Sequence, residues 1–326
     1  MVYLPVICRI LVWTLRYRRG AVFTAANPGM PAGGFVGAGK AAILGELAGA
    51  GPALARFAPL PPGPGRLQRA LRFMREHGLD YPVVVKPDAG ERGRGVSIAR
   101  DRDALAGALD SLDGAALVQE YVDGPEFGLF YARRPGEERG RLFSITEKIL
   151  PEVRGDGLRT LEQLILADPR AVAMSGAYFA NHAANLQQVV PEGRGVRLVS
   201  LGTHSRGAIF RDGERHRTPA LEAELERVSR CFEGFFFGRY DVRSPSVEAL
   251  RAGEFKVLEL NGVTSEATHI YDRRYGLCHA YRVLFEQWRL AFEIGARNAE
   301  RGARVFSLGE LWRALRDSRR GGPDGG

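Results

Sequence analysis

Residues 237–261 constrain the fold of this chain most: F-G-R-Y-D-V-R, a polar interruption, then F-K-V-L-E-L-N. Both halves alternate apolar and polar residues over strand length, with a turn-rich stretch at 244–253 between them. That pattern predicts two adjacent β-strands. Glu259 and Asn261 are two apart, so their side chains leave the same face, and Asp241 on the first strand can meet them. Two carboxylates and a carboxamide converging from neighbouring strands form an all-oxygen site. A hard Mg²⁺ ion prefers such a site and keeps other positions for phosphate and water. Arg239, also two residues from Asp241, sets a planar positive fork beside them. A surface hairpin that only carries charges is the alternative this stretch leaves open.

With 326 residues, 45% apolar and 26% charged, the chain can bury a large core and form more than one subdomain. The net charge of +8 is clustered. Residues 1–20 hold Arg9, Arg16, Arg18 and Arg19 and no acid, and 313–320 form a second basic patch. Such an excess suits polyphosphate ligands or an anionic membrane surface. No basic stripe interleaved with aromatics occurs, so nucleic acid is not an expected partner. Cys8, Cys231 and Cys278 form no C-x-x-C, and the six histidines show no metal-ligand spacing. A reducing cytoplasm without disulfides or zinc follows.

Residues 4–15 are apolar except for Cys8, Arg9 and Thr14, and a basic run begins at Arg16. The run is too short to span a bilayer. Its basic residues follow the apolar stretch, whereas a signal peptide places them before it. An interfacial helix with Trp13 and Tyr17, making peripheral membrane contact through residues 1–20, and a core element are both open readings. G-F-V-G-A-G-K at 34–40 matches the phosphate-loop pattern, but Ala41 stands where Ser or Thr is needed for Mg²⁺. A Pro/Gly/Asn-rich loop also precedes it, which sets the match aside. Lys40 remains as a lysine entering a pocket from a helix over 41–47.

A proline-rich linker or loop at 52–65 and an amphipathic helix at 66–77 follow, the helix stopped by Gly78. The run Y-P-V-V-V-K-P ends a buried strand in Lys86. The loop after it carries Gly90, Gly93 and Gly95, whose amides can approach phosphate oxygens while Lys86 supplies a point charge. A flexible hairpin is the alternative. Farther along, the pattern predicts a helix at 103–112, strands at 115–121 and 142–150, the second holding Glu147 and Lys148, and a helix capped by Thr160. Helix at 171–189, strands at 196–201 and 208–211, and helices at 219–232 and 279–299 come next. Ser307 and Glu310 make a capping box for a last helix, and 321–326 read as a disordered tail.

In this order, V-V-V-K-P with its glycine loop, Q-E-Y-V-D-G-P-E-F, G-R-Y-D-V and L-E-L-N-G-V-T-S resemble the ATP-grasp superfamily. The resemblance spans residues 40–271 and is nearest to D-alanine–D-alanine ligases and cyanophycin synthetases. V-R-G-D-G-L-R-T-L-E-Q-L-I looks like a feature of the latter. It implies an α+β ATP-grasp fold, two α+β subdomains clasping ATP, behind a shortened N-terminal region. Residues 1–39 would be a short apolar and basic segment, 40–123 the lid subdomain, 124–299 the subdomain with the metal site, and 300–326 a helix and tail.

The resemblance further implies that Lys86 holds the α and β phosphates and the loop at 90–95 closes over the triphosphate. Glu120 and Val122 would lie along the adenine, Glu126 on the ribose, and Lys40 and Lys148 on phosphate. Asp241, Glu259 and Asn261 would bind one or two Mg²⁺ ions, and Arg239 would stabilise an acyl-phosphate transition state. The implied activity joins a small-molecule or peptide carboxylate to an amine at the cost of ATP, in the cytoplasm or at the inner membrane surface. Only 39 residues precede Lys40, where D-alanine ligases carry a full α/β domain, so D-alanine is not the expected substrate. The turn G-T-H-S-R-G has no counterpart there. Its His204, Ser205 and Arg206 are candidates for gripping the acceptor's carboxylate, against a plain hairpin turn. A non-catalytic nucleotide-binding membrane adaptor and a phosphoryl or nucleotidyl transferase are the competing functions.

Overall fold

The computed structural model describes residues 3–18, 20–36, 39–90, 95–169, 171–199 and 207–320. Helix α1 (Leu4–Tyr17) and the short α2 (Lys40–Glu46) come first. A smaller subdomain follows, built from β1 (Phe57–Leu60), α3 (Arg66–Glu76), β2 (Val83–Pro87), β3 (Ser97–Ala99), α4 (Arg102–Asp110) and β4 (Ala116–Glu120). Its antiparallel sheet runs β1-β4-β2-β3. Val83, Val85 and Val118 pack against Phe73 and Met74 of α3 and Leu105 and Leu109 of α4. Asp101 accepts from the Ala104 amide at 2.8 Å and so starts α4. Strand β1 corrects the linker expected at 52–65. Pro59 is tolerated there because β1 is an edge strand, where a missing N–H costs no ladder bond.

The larger part contains β5 (Glu126–Ala132), β6 (Arg141–Ile149), β7 (Glu152–Arg154), α5 (Leu161–Ala167), α6 (Ser175–Asn181), β8 (Gly195–Arg197) and β9 (Ile209–Asp212). It continues with α7 (Pro219–Arg230), β10 (Phe237–Arg243), α8 (Val247–Arg251), β11 (Lys256–Asn261), α9 (Leu277–Glu300) and α10 (Leu308–Arg320). Five of these strands form an antiparallel sheet in the order β11-β10-β5-β6-β9, while β7 and β8 pair separately. The helix expected across 171–189 ends at Asn181. Beyond it the carbonyls of Leu186 and Gln188 accept the Glu162 and Leu161 amides, each at 3.0 Å, satisfying the start of α5. The interruption at 244–253 holds helix α8, because the Ser246 hydroxyl caps it by accepting from the Ala249 amide. Ser307 and Glu310 form the expected reciprocal cap.

Alternation divides the five-stranded sheet cleanly. Leu129, Tyr131, Ile145, Tyr240 and Val242 face one side and pack on α7 and α2. The other face is split along its length. At one end Phe130, Ala132 and Phe237 lie beneath Leu290, Phe292 and Ile294 of α9, with Trp13 of α1 in the same cluster. Toward the other end, positions 126, 128, 146, 148, 239 and 241 continue that face with Glu, Gly, Thr, Lys, Arg and Asp. The segment before Lys40 is stitched to this sheet by Asn27, which is fully buried. Its Nδ2 donates to the carbonyls of Gly33 (3.0 Å) and Phe237 (2.7 Å). Its Oδ1 accepts from the amides of Phe236 (2.9 Å) and Phe237 (2.8 Å).

Candidate active site

Strands β10 and β11 pair with Arg239 opposite Asn261 and Asp241 opposite Glu259. After that pair the register shifts, since Val242 faces Val257 and Leu258 is left over as a bulge. The Leu258 carbonyl, released from the ladder, accepts from Lys86 Nζ at 3.0 Å and Gln119 Nε2 at 3.2 Å. Lys86 also donates to Gln119 Oε1 at 2.9 Å. The bulge therefore brings the lysine of the smaller sheet against the strand that carries Glu259 and Asn261.

Across β10, Lys148 Nζ donates to Glu126 Oε1 at 2.9 Å and lies 3.1 Å from Asp241 Oδ1. Arg239 Nε donates to the same Oδ1 at 3.0 Å, and its Nη1 donates to the Glu266 carbonyl at 3.0 Å. Gly128 makes room for this arrangement, because a Cβ there would stand 3.2 Å from Arg239 Cδ. Lys40 Nζ donates to the Gly90 carbonyl at 2.5 Å and lies 3.9 Å from Glu259 Oε1. Asp88, which precedes the glycine loop, is tied to α2, its Oδ1 accepting from the Ala41 amide at 2.8 Å. Gly39 permits this approach, since its Cβ would fall 2.3 Å from Asp88 Oδ2.

Five cations, Lys40, Lys86, Lys148, Arg239 and Arg243, thus stand against four carboxylates, Asp88, Glu126, Asp241 and Glu259. Burial disfavours charge on Asp241, but Arg239 and Lys148 outweigh it and hold the carboxyl below its usual range. Burial likewise opposes charge on Lys148, and Asp241 with Glu126 more than restores it. Lys86 is different: burial pushes its pKa down to about 8. A polyphosphate would favour its charged form, so binding at pH 8 should take up protons, and affinity should fall as pH rises through about 8. Calorimetry of ATP in two buffers of unlike ionisation heat should register the uptake. Lys86→Met should abolish it and weaken binding by about 1.5–3 kcal/mol. Unchanged affinity would remove Lys86 from the site.

Three side chains keep oxygens without a hydrogen bond among the described residues. Asp241 Oδ2 and the Asn261 carboxamide have no hydrogen-bond partner among the described residues, and Glu259 has only the distant Lys40. Two carboxylates and a carboxamide on paired strands are the donor types that Mg²⁺ prefers. The other predicted carboxylates are engaged. Glu126 accepts from Lys148 through Oε1 and from Arg243 through Oε2 at 3.2 and 3.3 Å. Glu120 pairs with Lys256 and accepts from the Arg56 amide at 3.0 Å, and the Val122 carbonyl accepts from Arg243 Nη1 at 2.9 Å. Gly90 and Gly95 flank the loop with φ of 143° and 69°. Gly93, His204, Ser205 and Arg206 lie outside the described residues, as does the 321–326 tail.

Sequence reasoning missed Arg243, Gln119 and Glu266. Arg243 follows Asp241 by two residues, so the alternation that singled out Arg239 marks it as well. Glu266 carries no such signal. Its carboxylate accepts from Tyr271 Oη at 2.7 Å and from Tyr3 Oη at the head of α1, which brings the chain's first helix to the loop after Asn261.

Residues 65–127 match the model of the RimK-like ATP-grasp domain. Over 92 residues the chain is 34% identical to the glutathione biosynthesis bifunctional protein of Streptococcus agalactiae, covering 26% of this chain and 12% of that protein. Over 216 residues it is 26% identical to cyanophycin synthetase of Synechocystis sp., covering 58% of this chain and 24% of the relative. The chain thus spans 12% to 24% of the length of these curated relatives. A crystal structure of D-alanine–D-alanine ligase from Bacillus anthracis aligns with a TM-score of 0.44 and 15% identity, covering 81% of this chain and 69% of that one.

Proposed function

We propose, on the premise that this chain belongs to the ATP-grasp superfamily, that it is an ATP-dependent carboxylate–amine ligase working through an acyl phosphate with Mg²⁺. The observation that supports this best is the set of unclaimed oxygens on Asp241, Glu259 and Asn261, ringed by Lys40, Lys86, Lys148 and Arg239. In this reading a carboxylate oxygen attacks the γ-phosphorus, the bond to the bridging oxygen breaks, and ADP leaves. The lone pair of an amine then attacks the acyl carbon, the bond to the phosphoryl oxygen breaks, and phosphate leaves while the nitrogen's extra proton passes to solvent. Asp241, Glu259 and Asn261 would hold Mg²⁺, which would supply screening of the phosphoryl charge.

Lys86 and Lys40 neutralise phosphate oxygens, and the Lys148–Asp241–Arg239 contacts fix the Arg239 fork at the place where charge develops. Glu120, Val122 and Glu126 are assigned to adenosine, the loop at 90–95 to the triphosphate, and His204, Ser205 and Arg206 to the acceptor carboxylate. These last assignments rest on the sequence. The partners are a small-molecule or peptide carboxylate and an amine, with residues 1–20 at a membrane surface and the reaction in the cytoplasm. Incubating the protein with MgATP, a panel of α-amino acids and hydroxylamine should release ADP only when an acid is present and trap the acyl group as a hydroxamate. A stable phosphorylated product would favour the transferase, and ADP release indifferent to any acid would sink the ligase.

A further inference from the structure

Helix α1 has two apolar faces. Val6, Ile10, Trp13 and Tyr17, spaced four, three and four apart, turn toward the clusters built with α9. Leu4, Ile7, Leu11 and Leu15 recur at matching helical spacing on the opposite side, where they are 60%, 50%, 57% and 76% exposed. Val12 beside them is half exposed as well. A helix apolar all round is ordinarily buried all round, and a contiguous exposed apolar face marks a contact surface. Arg9 and Arg16 fall between the two faces by helical spacing, and Arg18 stands at the C-cap. No acidic residue occurs in 3–18. The Arg9 guanidinium lies over the rings of Trp13 and Phe285 at 5.5 and 5.7 Å, which keeps it on the core side and leaves the leucine face uncovered.

We infer that this outer face seats the protein on an anionic lipid surface. Helix α1 lies in the membrane plane with Leu4, Ile7, Leu11 and Leu15 at the acyl boundary and Arg16 and Arg18 among the headgroups. This deepens the membrane part of the reading above and is independent of its chemistry. Spanning is not the mode, because among the described residues no helix is long and apolar enough to cross a bilayer. An interfacial helix needs only an apolar face and cationic flanks. Charge selects lipid over a second copy of the chain: pairing two such faces would bring arginines together with no acid on either helix to answer them.

The test is co-sedimentation of the full chain with vesicles of phosphatidylcholine alone and of phosphatidylcholine with one quarter phosphatidylglycerol. Binding should be at least tenfold tighter to the anionic vesicles and should weaken with salt, each arginine contributing roughly fivefold. The double variant Leu11→Asp, Leu15→Asp should lose binding with an unchanged melting temperature, since both positions are exposed. Arg16→Glu should weaken binding to the anionic vesicles only. Absence of binding, equal binding to both vesicles, or full binding by the double variant would overturn the inference. So would a concentration-dependent dimer that the double variant dissolves. ADP release on the same samples reads the ligase chemistry separately, so either proposal can fail while the other stands.

Discussion

Replacing Arg239 by alanine should lower turnover by on the order of 100–1,000-fold, as expected for the loss of one preorganised donor, while MgATP affinity stays nearly intact. The guanidinium is held by Asp241 through Nε and by the Glu266 carbonyl through Nη1. Its Nη2 has no hydrogen bond among the described residues and is available to charge that develops during transfer. An interaction made mainly in the transition state lowers kcat without weakening ground-state binding. The alanine variant should also fold, because Asp241 keeps Lys148 at 3.1 Å. Arg239→Lys should recover little, since a point charge on a flexible stem cannot copy the planar fork of the guanidinium. Single-turnover kinetics and nucleotide calorimetry separate these terms. A markedly lower melting point with normal turnover per folded molecule would make Arg239 a structural residue.

The second large effect is expected at Asp241. Asp241→Asn removes the charge that faces both Lys148 and Arg239 and weakens the proposed Mg²⁺ ligand set. Mg²⁺-dependent turnover should fall by more than about 100-fold. Stability should fall by about 1–3 kcal/mol as two buried cations lose their counter-charge and keep only a neutral carboxamide acceptor. Binding of ATP in excess EDTA should move the other way and tighten, because a carboxylate facing the phosphates has gone. These opposite signs distinguish a metal ligand from a residue that merely balances charge. Equal losses with and without Mg²⁺ would refute the metal assignment.

Local pattern carried much of this. The alternation in F-G-R-Y-D-V-R and F-K-V-L-E-L-N is enough to pair two strands and to put Arg239, Asp241, Glu259 and Asn261 on one face. Signals tied to a single residue were weaker. Pro59 disguised an edge strand as linker, and Ser246 started a short helix inside what reads as a turn. Contacts distant in sequence left no local trace. Nothing around Leu258 announces a bulge whose carbonyl will meet Lys86, 172 positions away. Glu266 and Tyr3, 263 apart, meet only because α1 packs along α9.

The four hydrogen bonds of Asn27 bear on how this site can fail. Three of them clasp the beginning of β10 from outside the sheet, and the fourth ties Asn27 to Gly33 of its own segment. Farther along, the bulge at Leu258 already leaves β10 and β11 with two ways of counting residues against each other. A slip of one position would turn Arg239 and Asp241 to the opposite face, under α7, and bring Tyr240 into the cleft. Asn27 acts as an index mark that makes one alignment the stable one. Residues 20–36 then do more than lead into the sheet, because they set the phase of strand β10. A version trimmed to begin at Lys40 would lose that mark, and its characteristic defect would be a sheet of sound strands joined out of step.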